Sequence, residues 1–300
     1  MHDFGSFLEK INPDGTPSAF VPGMEMNARF LDPRYYQIAV LGLLVIYGVV
    51  ALDFGVRWLN ALATVATALT VQFAGTRIAG LAKFDPLSPL ITSLSLTLLL
   101  RTEMMSLAIL AAIVAIGSKF LLRIRDKHVF NPANVAIVTL MVFSDRVWIS
   151  SGQWGSAAIS AFALACLGFI VLTRAKRAET TFAFLLAYTL LLFGRAGWLG
   201  DPLAIPLHQV QNGALLIFAF FMISDPKTTP DSSIGRIVYA TFVACVAFTI
   251  QFVYYEPHGP ILALVISAPF VPLIDAVFRG QLYRWSQTAR SPQHQFKGVY

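Results

Sequence analysis

Charge is scarce in this sequence. Only 13% of its 300 residues are Asp, Glu, Lys or Arg, whereas 56% are apolar, and the charged share is about half that of an average soluble domain. A soluble protein of this length has no core large enough to bury so much apolar surface. The composition therefore excludes a soluble globular domain and predicts an integral membrane protein whose solvent is largely lipid.

Cysteine and histidine are also few. The two cysteines, Cys166 and Cys245, each fall in the middle of an apolar run, which excludes a disulfide framework and indicates small packing residues. A cluster shared with thiolates of another subunit is the alternative. His128 and His258 fall at opposite faces of the predicted membrane, which argues against a haem held between them. No metal site is predicted.

Ten uncharged apolar runs predict the membrane-spanning segments. A helix needs about 20 residues to cross a hydrocarbon core of ~30 Å, and several runs are shorter, so they borrow flanking polar residues or enter only part of the membrane. The alternative is eight full helices and two re-entrant pieces. In chain order the runs are Tyr35–Leu52, Trp58–Thr76, Pro86–Leu100, Met104–Ser118, Val129–Ser144, Gly155–Thr173, Thr180–Gly194, Val210–Ser224, Ile237–Tyr255 and Gly259–Ile274.

The distribution of lysine and arginine predicts the orientation. With ten spans and a cytoplasmic amino terminus, only Arg57, Arg101, Arg146 and Arg195 of the 22 basic residues fall in outside loops. Both termini are therefore expected in the cytoplasm. The same bias accounts for the net charge of +6, so no nucleic-acid partner is expected. The predicted organisation is a cytoplasmic segment 1–34, a membrane domain 35–278 and a cytoplasmic tail 279–300.

The membrane domain divides into two halves of five segments, about 35–149 and 155–278. In each half the third segment is short and ends at a polar break, in "PLITSLSLTLLLRT" and in "GALLIFAFFMISDPKTTP". In each half a histidine and a proline precede the fifth segment, in "KHVFNPANVAIV" and in "EPHGPILALVI". Because five is odd, the halves would have opposite orientations. This pattern is typical of an inverted repeat with a site near the membrane midplane.

Two polar breaks, "HVFNPAN" and "ISDPKTTPDS", form the candidate site. Irregular backbone at membrane depth occurs only where it is buried in protein or lines a cavity. Proline disfavours helical angles at the residue before it, so a helix is expected to begin at Pro132. Helix starts offer N–H groups that favour an anionic group such as a phosphate, and we therefore expect both breaks to line one cavity. Ordinary polar loops closed by helix caps are the alternative. The candidate ligand-binding residues of the breaks are Asn131, Pro132, Asn134, Asp225, Thr228, Thr229 and Arg236.

The stretches "HVFNPAN" and "FFMISDPKTTP", in this order and spacing, resemble two signature motifs of one family. It comprises NqrB, a membrane component of the sodium-translocating NADH:quinone oxidoreductase, and RnfD, a membrane component of the Rnf electron-transport complex. "PLITSLSLTLLL" is similar to the family's third helix, and Lys119 falls where the family has a lysine, which adds Lys119 to the candidate cofactor-binding residues. The likeness runs from about Asp32 to Phe278. The matched motif residues are Asn131, Pro132, Ala133, Phe220, Phe221, Met222, Asp225, Pro226, Pro230, Gly235 and Arg236.

The resemblance implies a fold and a function. The implied fold is an all-α membrane domain of ten helices in two inverted five-helix repeats, as in urea channels. The implied function is flavin binding and electron transfer across or within the bacterial inner membrane, beside other membrane or flavoprotein subunits.

The chain departs from the family pattern in the outside loop between the fifth and sixth segments. Family members carry a Ser-Gly-Ala-Thr-type motif there, and FMN phosphate esterifies its threonine. This chain has Ser151, Gly152, Gln153 and Trp154 instead, so covalent FMN is not expected, whereas a non-covalent flavin or a quinone remains compatible. Two function classes stay open: an electron-transport subunit, and a transporter or channel for a small solute or biosynthetic product that kept the fold without redox chemistry.

The missing threonine gives a direct test. When the protein is expressed together with the flavin transferase and run on a denaturing gel, its band should show no ultraviolet-excited fluorescence, because no hydroxyl in the expected position accepts FMN. A fluorescent band at the mass of this chain would contradict the prediction.

Overall fold

The computed structural model describes residues 32–50, 55–81, 83–124, 127–150 and 178–281. The amino-terminal segment, the loop from Ser151, the sixth predicted segment with Cys166 and most of the carboxy-terminal tail lie outside the described residues.

Helices make up most of the described chain. Their starts follow local chemistry: Asn131, Asn212 and Ser232 each cap a helix by accepting a hydrogen bond from a backbone N–H group, as short polar side chains do. The helices are α1 (Pro33–Val50), α2 (Trp58–Ile78), α3 (Leu87–Leu99), α4 (Met105–Leu121), α5 (Pro132–Phe143), α6 (Ala178–Leu199), α7 (Ala204–Val210), α8 (Gly213–Ile217), α9 (Ser233–Phe252), α10 (Gly259–Ser267) and α11 (Val271–Val277).

Two helices are continued by irregular turns. α8 passes into a π-helical segment, Phe218–Met222, and a 3₁₀ turn, Ala268–Phe270, joins α10 to α11. The eighth predicted run, Val210–Ser224, begins at the last residue of α7, and α7 meets the segment Gly213–Met222 at an angle of 46°. Within the fifth predicted run, Val129–Ser144, the helix begins at Pro132, and the chain before Asn131 forms a short hairpin.

Two small antiparallel ladders depart from the purely helical prediction. β1 (Leu100–Thr102) pairs with β4 (Val147–Ile149), with Leu100 opposite Ile149, and so joins the ends of α3 and α5. β2 (Arg123–Ile124) and β3 (Lys127–His128) form the hairpin between α4 and α5. Each ladder satisfies backbone groups where a helix has stopped.

Length and composition identify a multi-pass membrane protein. Within the described residues, four helical stretches are long and apolar enough to cross a membrane, and a fifth is the bent pair α7 and α8 counted as one span. The stretches are Pro33–Val50, Ala178–Leu199, Ser233–Phe252 and Gly259–Val277. Large apolar side chains such as Ile46, Leu186 and Trp198 are exposed, as expected for surfaces that contact lipid.

The helices pack through small residues. α2 packs on α4 and α4 on α5, while α6 packs on α9 and α9 on α10. The buried faces of α4 and α9 carry alanines, among them Ala111, Ala115, Ala240 and Ala247, that have no exposed surface. Small residues let backbones approach closely, which drives helix association where lipid removes the hydrophobic driving force.

Gly259 marks one such close approach and gives a stability prediction. A Cβ at Gly259 would lie 2.5 Å from the carbonyl oxygen of Ala247, so Gly259→Ala should push α10 from α9 and cost about 1–3 kcal/mol, as overpacking does. The control is Gly117→Ala within α4, where an added Cβ meets nothing within 4 Å. In thermal unfolding in detergent, the midpoint temperature of Gly259→Ala should lie well below that of the control. Equal midpoint temperatures would contradict the packing argument.

Candidate functional site

The structure brings the two polar breaks into contact. Asn131 has extended backbone angles (φ −62°, ψ 124°), and its side chain accepts a hydrogen bond from the Asn134 N–H group, so α5 begins at Pro132 as predicted. The Asn131 amide nitrogen donates to the Met222 carbonyl oxygen and to Asp225 Oδ2, each at 3.4 Å. Asn131 thus closes its own helix start and links it to the end of the π-helical segment.

Side chains from several elements satisfy the carbonyls of the π-helical segment. Thr181 Oγ1 donates to the Ala219 carbonyl oxygen at 2.6 Å, and Ser224 Oγ donates to that of Phe220 at 2.5 Å. The Met222 carbonyl oxygen accepts a hydrogen bond from the side-chain nitrogen of Asn131. Because unpaired backbone groups are costly away from water, these side chains allow an irregular segment to remain buried.

The second break is closed by its own hydrogen bonds. The N–H groups of Thr228 and Thr229 both donate to the Asp225 carbonyl oxygen, as do the two threonine hydroxyls. The Lys227 N–H group donates to Asp225 Oδ1 at 3.0 Å. Both threonines are buried. The donors that the sequence offered to a ligand are therefore engaged within the turn.

Arg236 and Lys119 also have protein partners. Arg236 forms an ion pair with Glu179 and donates to the Asp231 carbonyl oxygen at 2.7 Å. The Lys119 ammonium donates to Ser88 Oγ at 2.8 Å and is buried. Arg236 thereby ties the start of α9 to the start of α6, and Lys119 ties the end of α4 to the start of α3.

His128 lies in the β2–β3 hairpin close to these groups. Its burial, with the positive charges of Lys119, Arg123 and Lys227 nearby, lowers its pKa to about 3. The imidazole is therefore neutral at physiological pH. This neutral state keeps a further positive charge out of a region that already holds several cations.

Lys127 is a central residue that the sequence analysis missed. Its ammonium lies 2.7 Å from Asp231 Oδ1, 2.8 Å from Asp275 Oδ2 and 3.0 Å from the Thr229 carbonyl oxygen. The lysine comes from the hairpin of the first half, and its partners come from the second half. The position of Lys127 beside the "HVFNPAN" stretch was the only feature of the sequence that pointed to it. No local pattern identifies its ion-pair partners, because they lie far away in the chain.

Asn134 adds a second link between the halves. Its side-chain nitrogen donates to the Ile261 carbonyl oxygen in α10 at 3.0 Å, and Asn134 is 1% exposed. The contact joins the first turn of α5 to the first turn of α10, the two helices that follow the histidine–proline stretches.

A cavity of about 240 Å³ lies elsewhere, where α9 ends. Gln251 in its wall is about 27 Å from Ser233, at 1.5 Å per helical residue, so this far-end cavity and the two breaks lie toward opposite ends of α9. The sequence analysis did not predict it, although the "EPHGP" stretch that forms one side was noted. Described residues that line it are Ile149, Ser150, Tyr188, Gln209, Asn212, Ala214, Leu215, Phe218, Gln251, Pro257, His258, Pro260 and Ile261.

The part of the far-end cavity wall that the structure describes is uncharged. None of the described lining residues is Asp, Glu, Lys or Arg. The Tyr188 hydroxyl hydrogen-bonds Gln251 Oε1 deep in the wall, and burial lowers the pKa of His258, which favours its neutral form. The described part of the wall therefore offers hydrogen-bonding groups in apolar surroundings.

Lys127 gives a test of how the two breaks are held together. Lys127→Met should cost about 3 kcal/mol in unfolding free energy, at the low end for breaking a buried ion pair, because Asp231 and Asp275 lose their cation. In the control Arg195→Met, the lost partner is Asp201 in a pair about one third exposed, and the cost should be at most about 1 kcal/mol. Thermal unfolding in detergent measures both, and equal losses would show that Lys127 does not clamp the breaks.

Comparisons with known proteins support the resemblance. Residues 143–284 match the family described as NQR2, RnfD, RnfE. Proteins named as a subunit of the ion-translocating oxidoreductase complex, from Salmonella newport and Salmonella agona, are each 32% identical over 117 residues, which is 38% of this chain and 33% of the relative. The match spans about one third of the length of these relatives. It confirms the family resemblance predicted from the motifs, and residues 143–284, which include the motif from Phe220 to Pro230, carry the signature of the NQR2, RnfD, RnfE family.

Proposed function

We propose that this protein is the membrane subunit of an ion-translocating electron-transport complex and that electrons pass through a flavin or quinone held without a covalent bond. The observation that carries the proposal is the family match over residues 143–284. The relatives are named as subunits of an ion-translocating oxidoreductase complex, which supports partner subunits in the same membrane.

The proposed fold has ten spans in two inverted five-helix repeats, with both termini in the cytoplasm. Supporting it, the contacts of α2 with α4 and of α4 with α5 in the first half recur as those of α6 with α9 and of α9 with α10 in the second. Both third segments, Leu87–Leu99 and Gly213–Met222, are short. Opposite orientation of the halves would follow from the odd number of segments in each.

The residues of the two breaks fit a structural role better than a phosphate cradle. The N–H groups and hydroxyls of Thr228 and Thr229 are engaged by Asp225, and Arg236 is paired with Glu179. We propose that the break residues fix the packing of the helices around the site. Lys119 and Asn131 would then affect a bound cofactor only indirectly, by maintaining that packing.

The far-end cavity fits the ring of such a cofactor. Its described wall has no Lys or Arg to balance a phosphate, which favours an uncharged ring over FMN. Tyr188, Gln251 and His258 would hold and orient the ring, while Phe218 and Ile261 exclude water from its inner edge. A flavin or quinone supplies the capacity to accept and release electrons.

A transporter or channel on the same scaffold is the second candidate. The bend of 46° between α7 and the α8 segment, beside a cavity lined by neutral polar groups, is an arrangement that also suits passage of a small neutral solute. The two candidates differ in whether the purified protein contains a redox-active cofactor.

The test is to purify the protein in mild detergent together with any partner subunits, denature it, and analyse the released small molecules by chromatography. We expect a flavin or quinone in near-stoichiometric amount, and an absorption spectrum of the native sample that changes on reduction. A colourless sample that releases neither compound, together with solute uptake into protein-containing vesicles, would instead support the transporter.

A further inference from the structure

Three arginines meet at the starts of α2 and α4. Arg57 is the residue before α2, and its guanidinium donates a hydrogen bond to the Glu103 carbonyl oxygen at 2.5 Å. Arg146 Nη1 donates to the sulfur of Met104, the residue before α4, at 3.5 Å. Arg101 lies in β1, two residues before Glu103. These three residues, the arginine cluster, come from separate segments of the chain and gather around one short stretch between α3 and α4.

Two members of the arginine cluster line a small cavity. Arg57 and Arg101 share its wall with Asn60, and the cavity has a volume of about 40 Å³. Arg101 is buried, and its Nη1 donates to the carbonyl oxygens of Thr97 and Leu100 at 2.7 and 3.2 Å, so its guanidinium is held at the end of α3. None of the described lining residues is Asp or Glu. The cavity therefore has fixed positive charge in its wall and admits a small group rather than a ring system.

The two exposed arginines of the cluster have most of their donors to spare. A guanidinium group carries five N–H donors, and those of Arg57 and Arg146 each make one hydrogen bond in the part of the chain that the structure describes. The acidic residues nearby, Glu103 and Asp145, are exposed, and among the described residues neither forms an ion pair with the cluster. Phosphate oxygens match guanidinium donors in charge and geometry. The cluster thus suits a phosphate group.

Two helix starts add to the positive potential of the arginine cluster. α2 packs on α4, and the hydrogen bond from Arg57 to Glu103 places both starts at the same end of the pair. Neither N-cap residue, Arg57 or Met104, makes a side-chain capping hydrogen bond. The first N–H groups of a helix carry the positive end of its dipole. The dipoles of α2 and α4 therefore reinforce the charge of the arginines.

Exposed apolar side chains flank the arginine cluster. Trp58 is the first residue of α2, and Trp148 lies opposite Arg101 in the β1–β4 ladder; both tryptophans are exposed. Tryptophan is typical of the interface between membrane and water, so the cluster lies at the level of the lipid headgroups. Leu59 and Leu62 continue the exposed apolar surface along α2. A molecule with a negatively charged head and apolar tails matches these surroundings better than a soluble anion does.

We infer that Arg57, Arg101 and Arg146 bind the phosphate headgroup of an anionic phospholipid, whose acyl chains lie against the exposed side of α2. The headgroup bridges the start of α2, strand β1 and the chain that follows α5, so the bound lipid stabilises the first half of the membrane domain. This lipid site is separate from the proposed electron transport and does not rest on it.

The probe is dioleoyl phosphatidylglycerol, added to delipidated protein in mild detergent, and native mass spectrometry gives the dissociation constant of the first bound lipid. Dioleoyl phosphatidylcholine, with the same chains and no net charge, is the comparison. One arginine near an anionic lipid contributes roughly a factor of five in affinity, so phosphatidylglycerol should bind at least about fivefold more tightly. Equal dissociation constants for the two lipids overturn the inference.

The double variant Arg57→Gln/Arg146→Gln tests the assigned residues. It removes two charges and leaves Arg101, which holds the end of α3. We expect the first phosphatidylglycerol to bind about 25-fold more weakly, at roughly fivefold per arginine, while the affinity for phosphatidylcholine stays the same. The control is Arg195→Gln, the same charge change at an arginine that is paired with Asp201, and it should bind phosphatidylglycerol within twofold of the unaltered protein.

A single variant keeps the test decisive if the double variant does not fold. The Arg146 side chain makes only the contact with the Met104 sulfur among the described residues, so Arg146→Gln should retain the unfolding midpoint of the lipid-free protein. Its affinity for phosphatidylglycerol should fall about fivefold. Added phosphatidylglycerol should also raise the unfolding midpoint of the unaltered protein more than that of Arg146→Gln. Equal affinities and equal shifts contradict the assignment.

Two further outcomes would assign the arginine cluster to another ligand. If glycerol phosphate displaces phosphatidylglycerol at concentrations close to those of the lipid, the cluster binds a small soluble anion and the lipid assignment is wrong. If the variants bind phosphatidylglycerol normally but lose a partner subunit during purification, the cluster is a protein contact and the inference fails. Neither result changes the proposed electron-transport function, which the released cofactor tests independently.

Discussion

The need to pair every buried backbone polar group governs this structure. In regular helices that requirement is met locally, but the π-helical segment and the break after it leave carbonyl oxygens without helical partners. Thr181, Ser224 and Asn131 supply the missing donors. Two of these side chains come from other helices, so the irregular segment persists only while α5 and α6 are in place. The irregular segment is thus stabilised by tertiary hydrogen bonds. This requirement explains why the polar residues of this apolar chain concentrate around the breaks.

The polar groups divide between two regions with different character. Around the breaks, charges and hydroxyls are matched to one another: Lys127 with two aspartates, Arg236 with Glu179, and the threonines with Asp225. Around the far-end cavity, the lining residues that the structure describes are uncharged. A cluster whose charges and hydroxyls are matched to one another has little capacity left for a ligand.

The sequence predicted those features that are encoded by neighbouring residues. The pair Asn131–Pro132 predicted the start of α5. The interruption of the apolar run at Asp225 predicted that the helical segment before it ends there. The two breaks were expected to line one cavity; they lie in contact, but the donors of Thr228 and Thr229 are engaged within their own turn. The Lys127 clamp and the far-end cavity could not be derived, because their residues come from segments far apart in the chain and carry no shared local pattern. The π-helical geometry was not predicted either. Its residues are ordinary apolar ones, and its irregular turn depends on hydrogen-bond donors from distant parts of the chain.

The links across the two halves have a consequence for biosynthesis. Asn131, Lys127 and Asn134 find their partners 91 to 148 residues further along the chain. At roughly 5–20 residues per second of synthesis, the first half emerges from the ribosome several seconds to half a minute before those partners exist. During that interval the Lys127 ammonium and the side-chain nitrogens of Asn131 and Asn134 lack these partners. The packing around the two breaks is therefore completed only after the second half of the chain has been made.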